Sequence, residues 1–277
     1  QIIHRLSEVL SVKKSYFYEI ATPKAEFIGY RRRSTLTKRH QGEIEAKVQQ
    51  DLEERLKLHR LRNEDGEENL PIQGMPIKTV EDAEHAASKL RERWELGQAP
   101  ISNLIATMEE HGVEVLLLEN APEKFDGLSA YIRDSEGEMI VAAAIAKKTE
   151  VGERLRLNLA HELGHLVLKI PQGMDAKTEE KAAFRMGAAF LAPAEKVRSE
   201  VGRKRRHIDV DELKMLKRRF GMSMQALIYR LNDLDIITES HCRDWFIMFN
   251  KLGWRKNEPE RIKPEEPQWL RRTVYQG

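Results

Sequence analysis

The sequence predicts an α+β chain, mainly helical with a small β-sheet, and three observations carry that expectation. Apolar residues recur at helical spacing between charges over much of the chain. Short apolar, β-branched runs cluster between residues 113 and 144. Aromatics are only 6% of the 277 residues while charged residues are 33%, a composition of charged helical surfaces rather than of a β-sandwich. Helices, then strands, then helices again places a small sheet beside a helical core.

The elements follow in order. The first twenty residues read as two short helices around Leu10-Ser11-Val12, with Ser11 as a cap. Leu36 to Leu61 is strongly helical, with Ile44, Val48, Leu52, Leu56 and Leu58 spaced between charges, and is expected to serve as a linker or hairpin arm. Asn63 to Met75 is polar and turn-rich and marks a domain boundary. Glu81 to Leu96 and Ile101 to His111 read as helices, the second ended by Gly112. Val113 to Leu118 is a buried strand, and Phe125 to Ile132 and Met139 to Ala144 form a hairpin across the polar segment 133–138. Helices are expected at Glu153 to Lys169, Thr178 to Leu191, Asp209 to Phe220 and Ser223 to Leu234, and Glu258 to Gln268 is a tail rich in Pro and Glu. The expected domains are 1–22, 23–75 (a helical linker region), 76–200 (the core) and 201–277 (a C-terminal helical region).

Composition excludes several classes. The longest unbroken apolar run, Met139 to Ala146, is too short to cross a bilayer, and the N-terminus lacks the basic-then-apolar pattern of a secretory signal. A single cysteine, Cys242, cannot form an internal disulfide, so the expected compartment is the reducing cytoplasm. A net charge of +2 gives no overall field for collecting nucleic acid or anionic membrane. Basic clusters at Arg31 to Arg39 and Arg203 to Arg219 read first as solvated helix faces and second as phosphate contacts.

The chemistry lies in Leu155 to Leu168, which contains H-E-x-x-H inside a helical run. His161 and His165, at i and i+4, share one face and can reach one zinc ion. Glu162, beside the first ligand, then points to the open coordination position and can act as general base on bound water. A shuffled chain of this composition would contain the bare pattern roughly 0.05 times, so spacing is suggestive only. The apolar context strengthens it: Leu157, Leu159, Ala160, Leu163, Leu166 and Leu168 bury the helix, and two histidines buried there need a polar partner. Small Gly164 admits close approach of another element.

A catalytic site needs a third protein ligand. Leu168 and Pro171 stand where the longer H-E-x-x-H-x-x-G-x-x-H pattern needs Gly and His, so the third ligand is sought on the next helix. Glu180 shares a face with Ala183 and Gly187, whose small side chains allow close packing on the zinc helix. Glu180 is therefore favoured over Glu179, which lies nearer the edge of the same arc.

Leu159 to Leu168, followed by Glu180-x-x-Ala183 and Ala189-Phe-Leu-Ala-Pro193, resembles the ImmA/IrrE family of zinc metallopeptidases. The resemblance extends upstream through Trp94-Glu-Leu-Gly97, Pro100-Ile-x-Asn-Leu104, Glu110-His-Gly-Val113 and Asp126-Gly-Leu-Ser-Ala130, covering most of residues 80 to 240. It implies a mainly helical metallopeptidase domain with a small sheet beside the zinc helix, with His161, His165 and Glu180 as ligands and Glu162 as general base. Zn2+ is the implied metal, and Mn2+ also suits such a donor set. The implied substrate is a protein, a transcriptional repressor whose cleavage derepresses stress, phage or mobile-element genes. Two positions depart from the family pattern: Ala192 replaces a Met, and Phe184 stands where Asn or Asp is usual.

Leu6 to Tyr18 resembles the last helices of an XRE-type helix-turn-helix. If the protein starts at Gln1, the recognition helix is missing and base readout by this module is not expected. Phe220-Gly221-Met222-Ser223 joins two amphipathic helices in similar style, with structural packing favoured over DNA contact. Two other functions are compatible with these residues: a DNA-binding regulator with a structural or vestigial zinc site, and a sensor or antitoxin-like protein whose peptidase fold only holds a partner. Tyr131 and Tyr229 are candidate oxyanion donors but read first as packing residues, and the other histidines lack a partner at ligand spacing. The strand region 126–144 is expected to hold substrate as an added strand.

Overall fold

The computed structural model describes residues 24–28, 36–61, 74–133 and 139–269. The two short N-terminal helices, the helix-turn-helix resemblance, most of the 63–75 boundary and the 134–138 turn lie outside the described residues. Among the described residues, no helix is long and apolar enough to cross a membrane.

The chain is α+β and mainly helical. In order it forms β1 (Lys24–Phe27), α1 (Lys38–Leu61), β2 (Met75–Pro76), α2 (Asp82–Arg93), α3 (Leu104–Glu110), β3 (Val113–Leu118), β4 (Gly127–Arg133), β5 (Met139–Lys147), α4 (Gly152–Val167), β6 (Leu168–Lys169) and α5 (Ala176–Leu191). It closes with α6 (Ala194–Val201), α7 (Val210–Phe220), α8 (Met224–Asp233) and α9 (Glu239–Lys251). The expected helices and strands from residue 82 to 234 all form. Helices α6 and α9 and strands β1, β2 and β6 are additions, the strands being too short to have a readable period.

The main sheet has the order β1-β4-β5-β3, with β4 antiparallel to β5 and β3 parallel to it. The two-residue alternation of a strand splits β4 cleanly. Leu128, Ala130 and Ile132 face α1, whose Ile44, Val48, Leu52 and Leu56 recur every fourth residue and close that side of the sheet. Gly127, Ser129 and Tyr131 face the other way, toward α4. Strand β5 is filled by the buried alanines Ala142, Ala143, Ala144 and Ala146, which leave room for helices close to both faces. On the α4 side lies the larger core, formed by α2 to α9.

Strand β1 corrects one expectation. It pairs antiparallel with Ala130 to Arg133 of β4, and Ile28 N–H extends the ladder by donating to the Ser129 carbonyl at 2.9 Å. Residues 129–133 of the hairpin edge expected to take substrate as an added strand are therefore already paired, and the outer strands of the sheet are β1 and β3.

The tail rich in Pro and Glu is a strap over the start of α4. Gly152 N–H donates to the Ile262 carbonyl at 3.0 Å, Ile262 N–H donates to Glu153 Oε2 at 3.0 Å, and Arg156 pairs with Glu265. A Cβ on Gly152 would lie 2.5 Å from the Lys263 carbonyl oxygen, so glycine is required where the strap crosses. Lys217 of α7 is 0% exposed and joins Glu153 at 2.5 Å to Glu258 at 2.9 Å, while Glu258 also accepts from the N–H groups of Met224 and Gln225 at the start of α8. In the basic cluster, Arg205 pairs with Glu212, Lys214 with Asp211, Arg218 with Glu260 and Arg219 with Glu200. Those carboxylates consume much of the charge that a phosphate would need.

Lys217→Met strips the shared cation from two buried carboxylates and is expected to lower stability by on the order of 3–5 kcal/mol, read from the urea midpoint. Adding Glu153→Gln and Glu258→Gln to it is expected to recover part of that loss.

Candidate metal centre

Helices α4 and α5 pack antiparallel with almost no side chain between them. A Cβ on Gly164 would lie 2.8 Å from the Ala183 carbonyl oxygen, and a Cβ on Gly187 would lie 2.8 Å from backbone atoms of Ala160. These pairs, 160 with 187 and 164 with 183, bracket His161 and put Glu180 beside it. Gly164, Ala183 and Gly187 thus do what their sizes predict.

His161 and His165 are buried on one face of α4, with Nε2 atoms 3.1 Å apart and rings nearly perpendicular at 84°. Glu180 closes the triangle: Oε2 is 3.2 Å from His161 Nε2 and Oε1 is 3.5 Å from His165 Nε2. A tetrahedron with ligands about 2.0–2.1 Å from its centre has an edge of about 3.3 Å, so the observed separations are those of donors sharing one small cation. Two imidazole nitrogens and a carboxylate form a donor set suited to a divalent transition metal. Among the described residues, this is the one group of three His, Cys, Asp or Glu side chains whose ligand atoms all lie within 4.8 Å of one another. The three could hold a metal ion. The Glu180 side chain is 31% exposed, so the centre opens to solvent on that side.

Glu179 occupies a different place. Its Oε1 is 3.9 Å from His165 Nδ1, the nitrogen opposite the shared point, and it is buried. Of the two acids left open by sequence, Glu180 joins the Nε2 cluster while Glu179 stands behind His165, near its Nδ1 but beyond hydrogen-bond reach. In His161, Nδ1 is buried without a hydrogen-bond partner, and the ring stacks on Phe184 at 3.9 Å and 26°. Phe184 thus presses on the imidazole by contact alone, where Asn or Asp could have bonded to it.

Glu162 is buried at 4% exposure. Ser129 Oγ lies 2.5 Å from Glu162 Oε2, and a Cβ on Gly127 would come within 2.8 Å of Oε1. The carboxylate is therefore gripped by a hydroxyl at one oxygen and given space by a missing side chain at the other. Beyond the resemblance over 126–130, the only sign of a role for Gly127 and Ser129 in the sequence is a small polar residue on the helix-facing side of an otherwise apolar strand.

The remaining candidates lie elsewhere. Tyr131 donates to the Leu166 carbonyl at 2.5 Å, and burial pushes its hydroxyl up to about 12, so it ties β4 to the end of α4. Tyr229 is 55% exposed with its ring centroid 4.5 Å from that of Phe246. His111 stacks on Trp94, and His207 lies edge-on to His241. Burial raises the pKa of Cys242, which suits a packing residue rather than a nucleophile.

His161→Ala and Glu180→Ala are each expected to abolish stoichiometric zinc in protein reconstituted with the metal, measured by mass spectrometry. Glu179→Gln is expected to retain zinc.

No curated protein matches the chain significantly. Residues 108–232, just under half of the chain, match the Peptidase_M78 family model, described as the IrrE N-terminal-like domain. The matched segment runs from α3 into α8 and contains His161, Glu162, His165 and Glu180 together with Gly127 and Ser129. The match supports a metallopeptidase-type domain over residues 108–232, and the His161, His165 and Glu180 cluster within it could bind a metal ion.

Proposed function

We propose that the protein is a zinc-dependent endopeptidase of the ImmA/IrrE type, with His161, His165 and Glu180 as metal ligands and Glu162 as general base. The observation that carries this reading is the convergence of two imidazole nitrogens and a carboxylate within 3.5 Å of one another, one residue along the helix from a buried glutamate. A divalent ion held there supplies Lewis acidity for a scissile carbonyl and lowers the pKa of a water toward 7. Glu162 accepts a proton at its carboxylate from the attacking water and returns it to the leaving amine. Ser129 keeps Oε2 engaged and the carboxylate fixed in one rotamer, so no reorientation is needed at the moment of transfer. Substrate reaches the centre from the side where Glu180 meets solvent.

The substrate is a polypeptide, and the repressor within that class rests on the resemblance of the zinc helix and its neighbours. A cytoplasmic location fits the single buried Cys242.

Zinc-loaded wild type is expected to cleave a proteome-derived peptide library, read by mass spectrometry. Glu162→Gln is expected to keep its zinc while losing about 10²–10⁴-fold in rate, the contribution of a positioned general base. Zinc-loaded wild type that cuts no peptide in the library would overturn the endopeptidase reading. Ser129→Ala is expected to keep fold and zinc and lose a smaller factor, about tenfold, in kcat with KM little changed.

A further inference from the structure

Along α4 and α5, two features point away from the metal centre in the same direction. Because the helices are antiparallel, Leu157 lies one turn before His161 on α4 while Phe184 and Ala188 lie one and two turns beyond Glu180 on α5. These three side chains, with Ala226 and Tyr229 of α8, wall a cavity of about 610 Å³. Its near wall is the Phe184 ring, which on its other side stacks on His161 at 3.9 Å. The cavity therefore begins one side chain away from a metal ligand.

The walls are unusual for a surface. Phe184 and Tyr229 are 45% and 55% exposed, and both are among the few large apolar side chains so exposed in the described residues. Leaving two aromatic faces in water costs free energy that a bound apolar group would recover, at about 25 cal/mol per Å² covered. Two of the lining cations are already matched: Arg230 makes a bidentate pair with Glu84 at 2.5 and 2.6 Å, and Arg185 lies 3.4 Å from Asp233, while Lys181, which also lines the cavity, is exposed to solvent. A charged group entering beside the two arginines would have to break those pairs. Small Ala188 and Ala226 leave the room, and the volume, in the range of small-molecule sites, is ample for a large side chain.

We infer that this cavity receives a large apolar side chain, Phe, Tyr, Leu or Met, of the substrate residue next to the cleaved bond, and so sets the cleavage specificity. The inference rests on the endopeptidase reading, and two measurements separate the two. The first needs neither metal nor turnover. In protein carrying 13C-methyl alanine, N-acetyl-phenylalaninamide is expected to shift the Ala188 and Ala226 methyl resonances, and N-acetyl-alaninamide at equal concentration is expected to leave them in place. The second compares zinc-loaded wild type with Ala188→Trp on the peptide library, after thermal melting and zinc content have shown that the variant folds and loads. Wild type is expected to enrich large apolar residues at one fixed position beside the bond, and Ala188→Trp to shift that position at least tenfold toward Gly, Ala and Ser.

Cleavage with no apolar preference, or a preference that Ala188→Trp leaves unchanged, overturns the pocket and leaves the peptidase reading standing. Methyl shifts with Phe amide but no cleavage by wild type overturn the peptidase reading and leave an apolar side-chain site. Equal shifts with both amides, or none with either, overturn the pocket directly.

Discussion

The close crossing of α4 and α5 is the constraint on which the rest depends. Two histidines one turn apart can always face the same way, but a carboxylate from a second helix reaches them only if the backbones nearly touch. Gly164 against Ala183 and Gly187 against Ala160 provide that contact at two points, one turn apart on each helix. Adding a single methyl at either glycine sets a carbon at 2.8 Å from backbone, which no rotamer change relieves. The crossing therefore fixes the separation of Glu180 from His161 and His165, and any ion they share takes its geometry from it.

The sheet supplies the second half of the site. Strand β4 runs along α4 so that its helix-facing residues, Gly127, Ser129 and Tyr131, meet Glu162 and the Leu166 carbonyl in turn. One side of α4 thus holds His161 and His165 in register with Glu180 of α5, and another holds Glu162 in register with β4. The alanines of β5 are buried between the two faces, and the α1 stripe covers the far face of that sheet. The strap from Glu258 to Glu265 fastens the first turn of α4 through Gly152, Glu153 and Arg156, so the helix bearing the ligands is anchored at its start as well as along its length.

Much of this was legible in the sequence, for specific reasons. H-E-x-x-H at helical spacing placed His161 and His165 on one face of α4, and the small residues Ala183 and Gly187 on the Glu180 face favoured the acid that joins them. The strands from Val113 and Met139 showed in their apolar runs. What could not be read depends on long-range packing. Strand β1 is four residues long and forms only because β4 offers an edge, and the tail from Glu258 looked featureless because its partners, Lys217 and Arg156, are 41 and 109 residues away. Ser129 carried a weak sign, a polar residue on a core-facing strand position, which acquires meaning only once Glu162 is opposite it. Phe184 read as a departure from a pattern; in the fold it is the shared wall of a ligand ring and a cavity.

The most direct measurement is the position of the metal. Crystals of the zinc-loaded protein, with anomalous diffraction collected at the zinc edge, are predicted to give one strong peak within about 2.0–2.2 Å of His161 Nε2, His165 Nε2 and a Glu180 carboxylate oxygen. A peak coordinated by Glu179 in place of Glu180, a peak only at another pair such as His207 and His241, or none in zinc-loaded crystals would contradict the account.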